Sequence, residues 1–327
     1  MATPVRLGIL GFGIMGERLL RAALAQDPGV IRPAGVWDPA PEAVARLATI
    51  VPDVPMLPDP AAVLEACDCL YIASPPASHI AHAQAALDAG RAVFLEKPLS
   101  SDLLQSRAFV AAAERAGARA AVNFPMASSP AVAQLTRWRE EGAIGAPRQL
   151  SIHVAFANWP RGWQKGASSW LARRAEGGFT REVVSHFLFL TRRQLGPMVL
   201  ERAEAQFPDP QLAETAIRAE LTAGGLPVAL TGGVGITDRD DHNAWTLEGE
   251  TGAIRLRDWS FAERRQPDGS FAPALDAIPN ERMRPLVLKG QLDSVAAMTR
   301  GEPHRLATLR EALEVQEIVE AVLTSDG

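Results

Sequence analysis

Cysteine is nearly missing from these 327 residues: Cys67 and Cys69 are the only two. They alternate along A-C-D-C-L-Y-I-A, which reads as a buried strand, so both side chains point with the core. A redox or metal pair is disfavoured, because a C-x-C strand with no further cysteine cannot complete a thiolate site. The expectation is a reduced, cytoplasmic protein without a metal. No block of lysine and arginine stands out and the formal net charge is only −5, which argues against a surface for nucleic acid or anionic lipid. No apolar run approaches the roughly 18 residues of a spanning helix, and no basic region followed by a long apolar stretch opens the chain. Neither a membrane segment nor a leader is expected. At 47% apolar and 22% charged, the composition is that of an ordinary globular protein, long enough for two domains.

The first stretch, V-R-L-G-I-L-G-F-G-I-M-G, organises the rest. An apolar strand from Val5 empties into Gly11-Phe12-Gly13-Ile14-Met15-Gly16, and the E-R-L-L-R-A-A-L-A that follows is helical. Strand, glycine turn and helix form the context in which G-x-G-x-x-G marks a dinucleotide site. Gly11 allows the tight turn, Gly13 leaves room for a pyrophosphate, and Gly16 lets the helix pack closely. Phosphates then meet the helix N-terminus. A second strand ends at Asp38, about where a carboxylate accepts ribose hydroxyls, and Pro39, Ala40 and Pro41 bring no cation for a 2′-phosphate. Both features favour NAD over NADP.

Three further strands with short joins follow: 67–73, R-A-V-F-L, and one reaching about Phe124, with a small edge strand at V-P-M-L-P between. Repeated βα units make a doubly wound parallel sheet. Its carboxyl edge receives Ser74-Pro75 with His79 in the next helix, then Glu96-Lys97-Pro98, then Asn123. A buried strand ending in Glu-Lys needs a wet end or partners for its charges. A loop ion pair and a catalytic lysine both fit that pattern.

After Phe124 the rhythm changes. Strands are expected at 148–156, 200–207, 214–222, 227–234, 242–249 and 253–257, as an antiparallel sheet with one face against helices. The polar, proline-containing stretch from Ser260 to Pro285 reads as an excursion, and helices from about Val287 to Arg300 and Leu306 to Leu323 close the chain. Gly177-Gly178 starts a helix on which Glu182 and His186 stand at i and i+4, sharing a face. That pair is able to bind a substrate hydroxyl and carry its proton; a satisfied core histidine is the competing account. Trp159, Trp163 and Trp170, with Arg161, Lys165, Arg173 and Arg181, precede or enter this helix. They either line a ligand or anchor the loop. His153 and Asn123 are further candidates for the substrate side.

These residues resemble the glucose-fructose oxidoreductase / inositol dehydrogenase / MocA family of NAD(P)-dependent oxidoreductases. The resemblance rests on G-F-G-I-M-G at 11–16, S-P-P-A-S-H at 74–79, A-L-D-A-G-R-A-V-F-L-E-K-P at 86–98, E-G-G-F-T-R-E-V-V-S-H at 176–186 and L-E-G-E-T-G-A-I-R-L at 247–256. It implies an α/β protein: a Rossmann domain over 1–124, then a substrate and oligomerisation domain over 125–327. The second is built on an open, mostly antiparallel sheet, and the C-terminal helix is expected to pack back on the first. It implies that Lys97 meets both cofactor and substrate and that the sheet face mediates a homodimer or homotetramer. Glu182 stands where the family has Asp, and Val184 where it has a small residue, which implies an altered pocket.

The expected activity is reversible hydride transfer between a nicotinamide cofactor and a secondary alcohol or carbonyl of a sugar, polyol or related small molecule. Gly11 to Gly16, Asp38, Ser74, Pro75, His79, Glu96 and Lys97 would hold the cofactor. Lys97, His186 and Glu182 would carry the chemistry, with Asn123, Trp159, Trp163, Trp170 and Arg181 on the substrate. Alternatives are a carbonyl or imine reductase for a less polar substrate, an NAD-dependent hydrolase or eliminase, and a non-enzymatic dinucleotide sensor.

Overall fold

The computed structural model describes residues 3–325, apart from the side chains of 165–168. It divides into two compact units. The first takes the chain up to Ser128 together with Val287–Leu313; the second takes Ser129–Leu286 together with the residues from Glu314 onward.

The first unit is built on five parallel strands, β1 (Val5–Leu10), β2 (Ile31–Trp37), β3 (Cys69–Ile72), β4 (Ala92–Leu95) and β5 (Ala120–Val122). Their order is β2-β1-β3-β4-β5, the doubly wound arrangement expected. Leu7, Ile9, Tyr71 and Phe94 are fully buried, as strands covered on both faces require. Arg6, the one charge inside β1, is matched by Asp68, which takes its backbone N–H at 2.9 Å and its guanidinium at 2.6 Å. Leu292, Val295 and Ala296 of the returning segment are buried in the same core. Because all five strands run the same way, Gly11, Asp38, Ser74, Glu96 and Asn123 lie along one edge of the sheet. The edge strand expected at V-P-M-L-P reduces to a single bridge, Val36 to Met56; with prolines at 55 and 58 it cannot donate a regular ladder. Both cysteines are buried thiols, and burial pushes Cys67 up to about 11 and Cys69 to about 12.

The second unit carries eight strands: β6 (Pro147–Phe156), β7 (Met198–Gln206), β8 (Ala216–Ala223), β9 (Leu226–Val234), β10 (His242–Gly249), β11 (Ala253–Arg257), β12 (Phe261–Arg265) and β13 (Phe271–Pro273). The order is β13-β12-β11-β10-β6-β9-β8-β7, antiparallel except for β6 with β9. Leu150, Ile152 and Val154 point to the buried face while Ser151 and His153 point out, so His153 belongs to the open face, bonded to Thr231 across β9 at 2.9 Å.

The stretch from Ser260 to Pro285 is not an excursion. It supplies β12 and β13 and the first turns of a helix, Asn280–Arg300. Its strands escaped notice because charge pairs and cation–π contacts, not apolar alternation, hold them. Glu263, 2% exposed, binds Arg255 and Arg257, and Arg255 lies 3.9 Å over the Phe271 ring. Pro285 sits six residues into the helix, where it removes a single intrahelical bond.

Among the described residues, no helix is long and apolar enough to cross a membrane.

Candidate functional site

The glycine loop is closed on its protein side and open on the other. Gly11 has a φ of 91°, and a Cβ there would lie 2.6 Å from the Ala73 carbonyl, so only glycine serves. A Cβ on Gly16 would lie 2.0 Å from the Gly11 carbonyl oxygen; it is the loop, more than the strand, that the helix approaches. At Gly13 nothing lies within 4 Å. The helix Ile14–Ala25 starts there with Gly13 as its N-cap, its first intrahelical bond running from Glu17 N–H to the Gly13 carbonyl at 3.0 Å. Earlier N–H groups have no partner within the helix. An open cradle over a helix N-terminus fits a pyrophosphate.

Asp38 clamps the loop. Its Oδ2 accepts the Phe12 N–H at 2.6 Å and its Oδ1 the Ala40 N–H at 2.8 Å, which leaves further lone pairs for ribose hydroxyls. The Phe12 ring itself is buried, so what Phe12 offers the open side of the loop is its backbone. Ser74 shares a hydroxyl bond with Ser78 at 2.7 Å, and Pro75 is exposed beside it. His79 differs from the expectation. It is 1% exposed, and its ring nitrogens lie 2.8 Å from the Pro98 and Ser74 carbonyls. It ties two loops together from behind instead of reaching a ligand. Burial, with Lys97 and His82 nearby, holds it below the usual imidazole range despite its two carbonyl contacts.

Glu96 has the partners a buried strand end needs. The Tyr71 hydroxyl and, at 2.6 Å, the Asn123 amide both donate to its Oε1. Gln291 donates to Asn123 Oδ1 at 2.6 Å. Asn123 is 1% exposed with both amide atoms engaged, so it supports Glu96 and does not meet a substrate. Burial, then the Glu96 charge, pushes the Tyr71 phenol well above its ordinary range, so it stays a donor. Tyr71 is the chain's sole tyrosine; a hydroxyl inside a fully buried strand had to find a polar partner. Lys97 follows, half-buried, joined to Pro98 by a cis peptide bond.

In the second unit Gly177 and Gly178 do open the helical stretch. A Cβ on Gly177 would lie 2.2 Å from the Leu171 carbonyl, and Gly178 has a φ of 101°. The turn that follows, Thr180–Val184, is π-helical, and an α-helix continues over Ser185–Leu195. Glu182 thus lies in the widened turn and His186 just beyond it; such turns are frequent at functional sites. Both are half-buried, and Val184 is fully buried. His186 meets Trp259 edge to face, with ring centroids 5.6 Å apart. Trp259, at φ 71°, and Asp258, at φ 47°, sit in left-handed backbone that costs a non-glycine residue on the order of 1 kcal/mol or more. Asp258 offsets this by accepting from Arg239 and Arg257, each at 2.9 Å.

Glu214 escaped the sequence reading entirely. It is 2% exposed and its Oε1 accepts the Thr180 N–H at 2.7 Å, capping the helix start from another strand's approach. Burial raises its carboxyl above the usual range.

Arg181 is committed to structure, not to a ligand. It grips Glu320 through two bonds of 2.7 Å and donates to the Arg174 and Gly177 carbonyls at 2.8 and 2.9 Å. Trp159 also anchors: its indole N–H donates to Leu171 at 3.1 Å and its ring packs on Phe156 and Phe179. Trp163 is 43% exposed with Arg161 stacked 4.7 Å over it, and Trp170 is half-buried. Arg161 is buried on Asp241 at 2.8 Å. Arg173 is exposed, and its backbone bridges to Leu212. The Lys165 side chain lies outside the described residues.

Residues 5–124 match the oxidoreductase family with an NAD-binding Rossmann fold, GFO_IDH_MocA. The match lies wholly within the first unit. The chain is 33% identical over 157 residues to inositol 2-dehydrogenase 4 of Saccharopolyspora erythraea, a match covering 47% of this chain and 46% of that one. The aligned stretch spans about half the length of that relative, and of a second inositol 2-dehydrogenase, from Acidothermus cellulolyticus. Over the whole chain the fold is that of an oxidoreductase from Thermotoga maritima, with a TM-score of 0.82 at 19% identity, covering 99% of this chain and 97% of that one. An oxidoreductase from Agrobacterium radiobacter, solved with NAD+, L-tartaric acid and magnesium, aligns with a TM-score of 0.79 at 18% identity, over 98% and 95% of the two chains.

Proposed function

We propose that this chain is a member of the Gfo/Idh/MocA family and an NAD-dependent dehydrogenase that oxidises a secondary alcohol of a sugar, polyol or related small molecule, reversibly. The observation that carries the reading is one sheet edge holding both an open glycine cradle and Lys97, beside a carboxylate fixed by Tyr71 and Asn123. The first unit is the dinucleotide-binding part and the second the substrate-binding part. Backbone of Gly11 to Gly16, with Ser74 and Pro75, would hold the pyrophosphate, and Asp38 the ribose. Its carboxylate favours NAD over NADP. When bound, the nicotinamide supplies the hydride acceptor.

The chain's own groups manage the proton and the oxygen. His186 takes the hydroxyl proton, Glu182 orients its ring, and Lys97 steadies the charge that develops on the substrate oxygen. Reduction runs these roles backwards. Trp163 and Trp170 are the indoles left for the substrate side, since Trp159 is anchored. The open face of the second sheet, with Ser151, His153 and Thr231, would join copies into a homodimer or homotetramer.

An NADH-coupled panel of inositols, aldoses and their keto forms tests the activity. Substrate-dependent NADH formation with one of them supports it. Binding of NAD with no turnover on any alcohol, carbonyl or imine would favour a dinucleotide sensor instead.

A further inference from the structure

Arg46 is a charged group the dinucleotide reading leaves unused. It lies eight residues past Asp38, on the helix Pro41–Ile50, beyond the stretch where the sequence showed no cation. The fold brings it back to the glycine loop. Its guanidinium donates to the Phe12 carbonyl, lies 5.1 Å over the Phe12 ring and meets Glu17 Oε2 at 3.2 Å. The N–H of the same Phe12 is bound by Asp38 at 2.6 Å. One loop residue therefore carries a carboxylate on its N–H and a guanidinium on its carbonyl. Glu17 is shared, because its Oε1 takes Arg21 at 2.9 Å. The Arg46 side chain is 40% exposed, open to a ligand.

We infer that Arg46 determines how much 2′-phosphorylated dinucleotide the site accepts, and that Glu17 restrains it; this rests on the dinucleotide reading above. Next to Asp38 a ribose hydroxyl is welcome and a phosphate dianion is repelled. A guanidinium beside the same loop residue offers that phosphate paired N–H donors. To do so Arg46 exchanges the Phe12 carbonyl for a phosphate oxygen, and its ion pair with Glu17 opposes the exchange. The site thus prefers NAD through Asp38 but keeps a measurable NADP affinity through Arg46.

Direct titration with NADH and NADPH, followed by nicotinamide fluorescence, tests this without turnover, with 2′-AMP and 5′-AMP as competitors. A charge-assisted bond corresponds to a factor of about ten or more in affinity. Arg46→Ala should raise the NADPH-to-NADH ratio of Kd values by about that factor, Arg46→Lys by less. Glu17→Gln should lower the ratio. Equal weakening of both dinucleotides in Arg46→Ala would overturn the inference, since Arg46 then only supports the loop. An unchanged ratio in folded Glu17→Gln removes the restraint assigned to Glu17. A wild-type chain that binds neither dinucleotide overturns the dinucleotide reading itself, and the inference with it.

Discussion

Glu96-Lys97 in the first unit and Glu182-His186 in the second are both a half-buried carboxylate with a base, set where a buried element begins or ends. Their mountings differ. Glu96 is gripped by a phenol and two amides in series, Tyr71, Asn123 and Gln291, none of which titrates near neutral pH. The start of the Glu182 helix is held by ionisable groups, Glu214 beneath Thr180 and Arg181 gripping Glu320. Geometry fixed by neutral groups should be indifferent to pH. Geometry fixed by buried acids should not be.

Removing the chemistry from each side shows whether the two pairs are equal partners. Lys97→Ala should lower kcat by about two to four orders of magnitude while the Kd for NADH moves far less. A kcat within tenfold of wild type, on a substrate the enzyme uses, would remove Lys97 from the reaction. His186→Ala should cost about a hundredfold in kcat while the Kd for NADH stays put. A kcat close to wild type in that variant assigns the proton transfer to another group.

How much of this could be read beforehand follows the range of the interactions. The five parallel strands, the glycine loop and the edge that gathers Asp38, Ser74 and Glu96-Lys97 were legible, because βα periodicity and turn residues are local signals. So were β6 to β11. The hairpin of β12 and β13 was not, since F-A-E-R-R looks solvent-facing until Glu263 is seen between Arg255 and Arg257. The supports of the site were illegible for the same reason. Asn123 and Gln291 are 168 positions apart, and Thr180 and Glu214 are 34 apart, with no motif linking either pair. The Asn123 amide and the Arg181 guanidinium are engaged by such distant partners, which the sequence alone does not reveal.

The neutral mounting can be made ionic. Asn123→Asp keeps the shape but replaces the amide that donates to Glu96 with a second acid beside the first. Two carboxyls in one buried site cannot both ionise cheaply, so one holds its proton. Thermal unfolding should show a loss of about 1–3 kcal/mol at neutral pH, shrinking as the pH is lowered and the pair shares a proton. Asn123→Leu loses the donor without adding charge, so its deficit should shrink less as the pH is lowered. If both deficits are flat, the Glu96 mounting does not depend on charge.

The reverse conversion is the subtler one. Burial raises the Glu214 carboxyl above its ordinary 4.5, so between 4.5 and its folded value the native state keeps a proton that the unfolded chain has released. By linkage, stability then falls as pH rises through that interval and levels off above it. Glu214→Gln retains an oxygen for the Thr180 N–H and adds an N–H2 where Thr180 Oγ1 is buried without another partner, yet has no proton to lose. Its unfolding temperature should therefore lack that decline and stand a few degrees above wild type at neutral pH. Arg181 opposes the trend, since its charge favours the ionised acid, so the gain is the smallest of those expected. Parallel curves for the two proteins from pH 4 to 8 would show that Glu214 does not titrate there. The helix start would then be as indifferent to pH as Glu96.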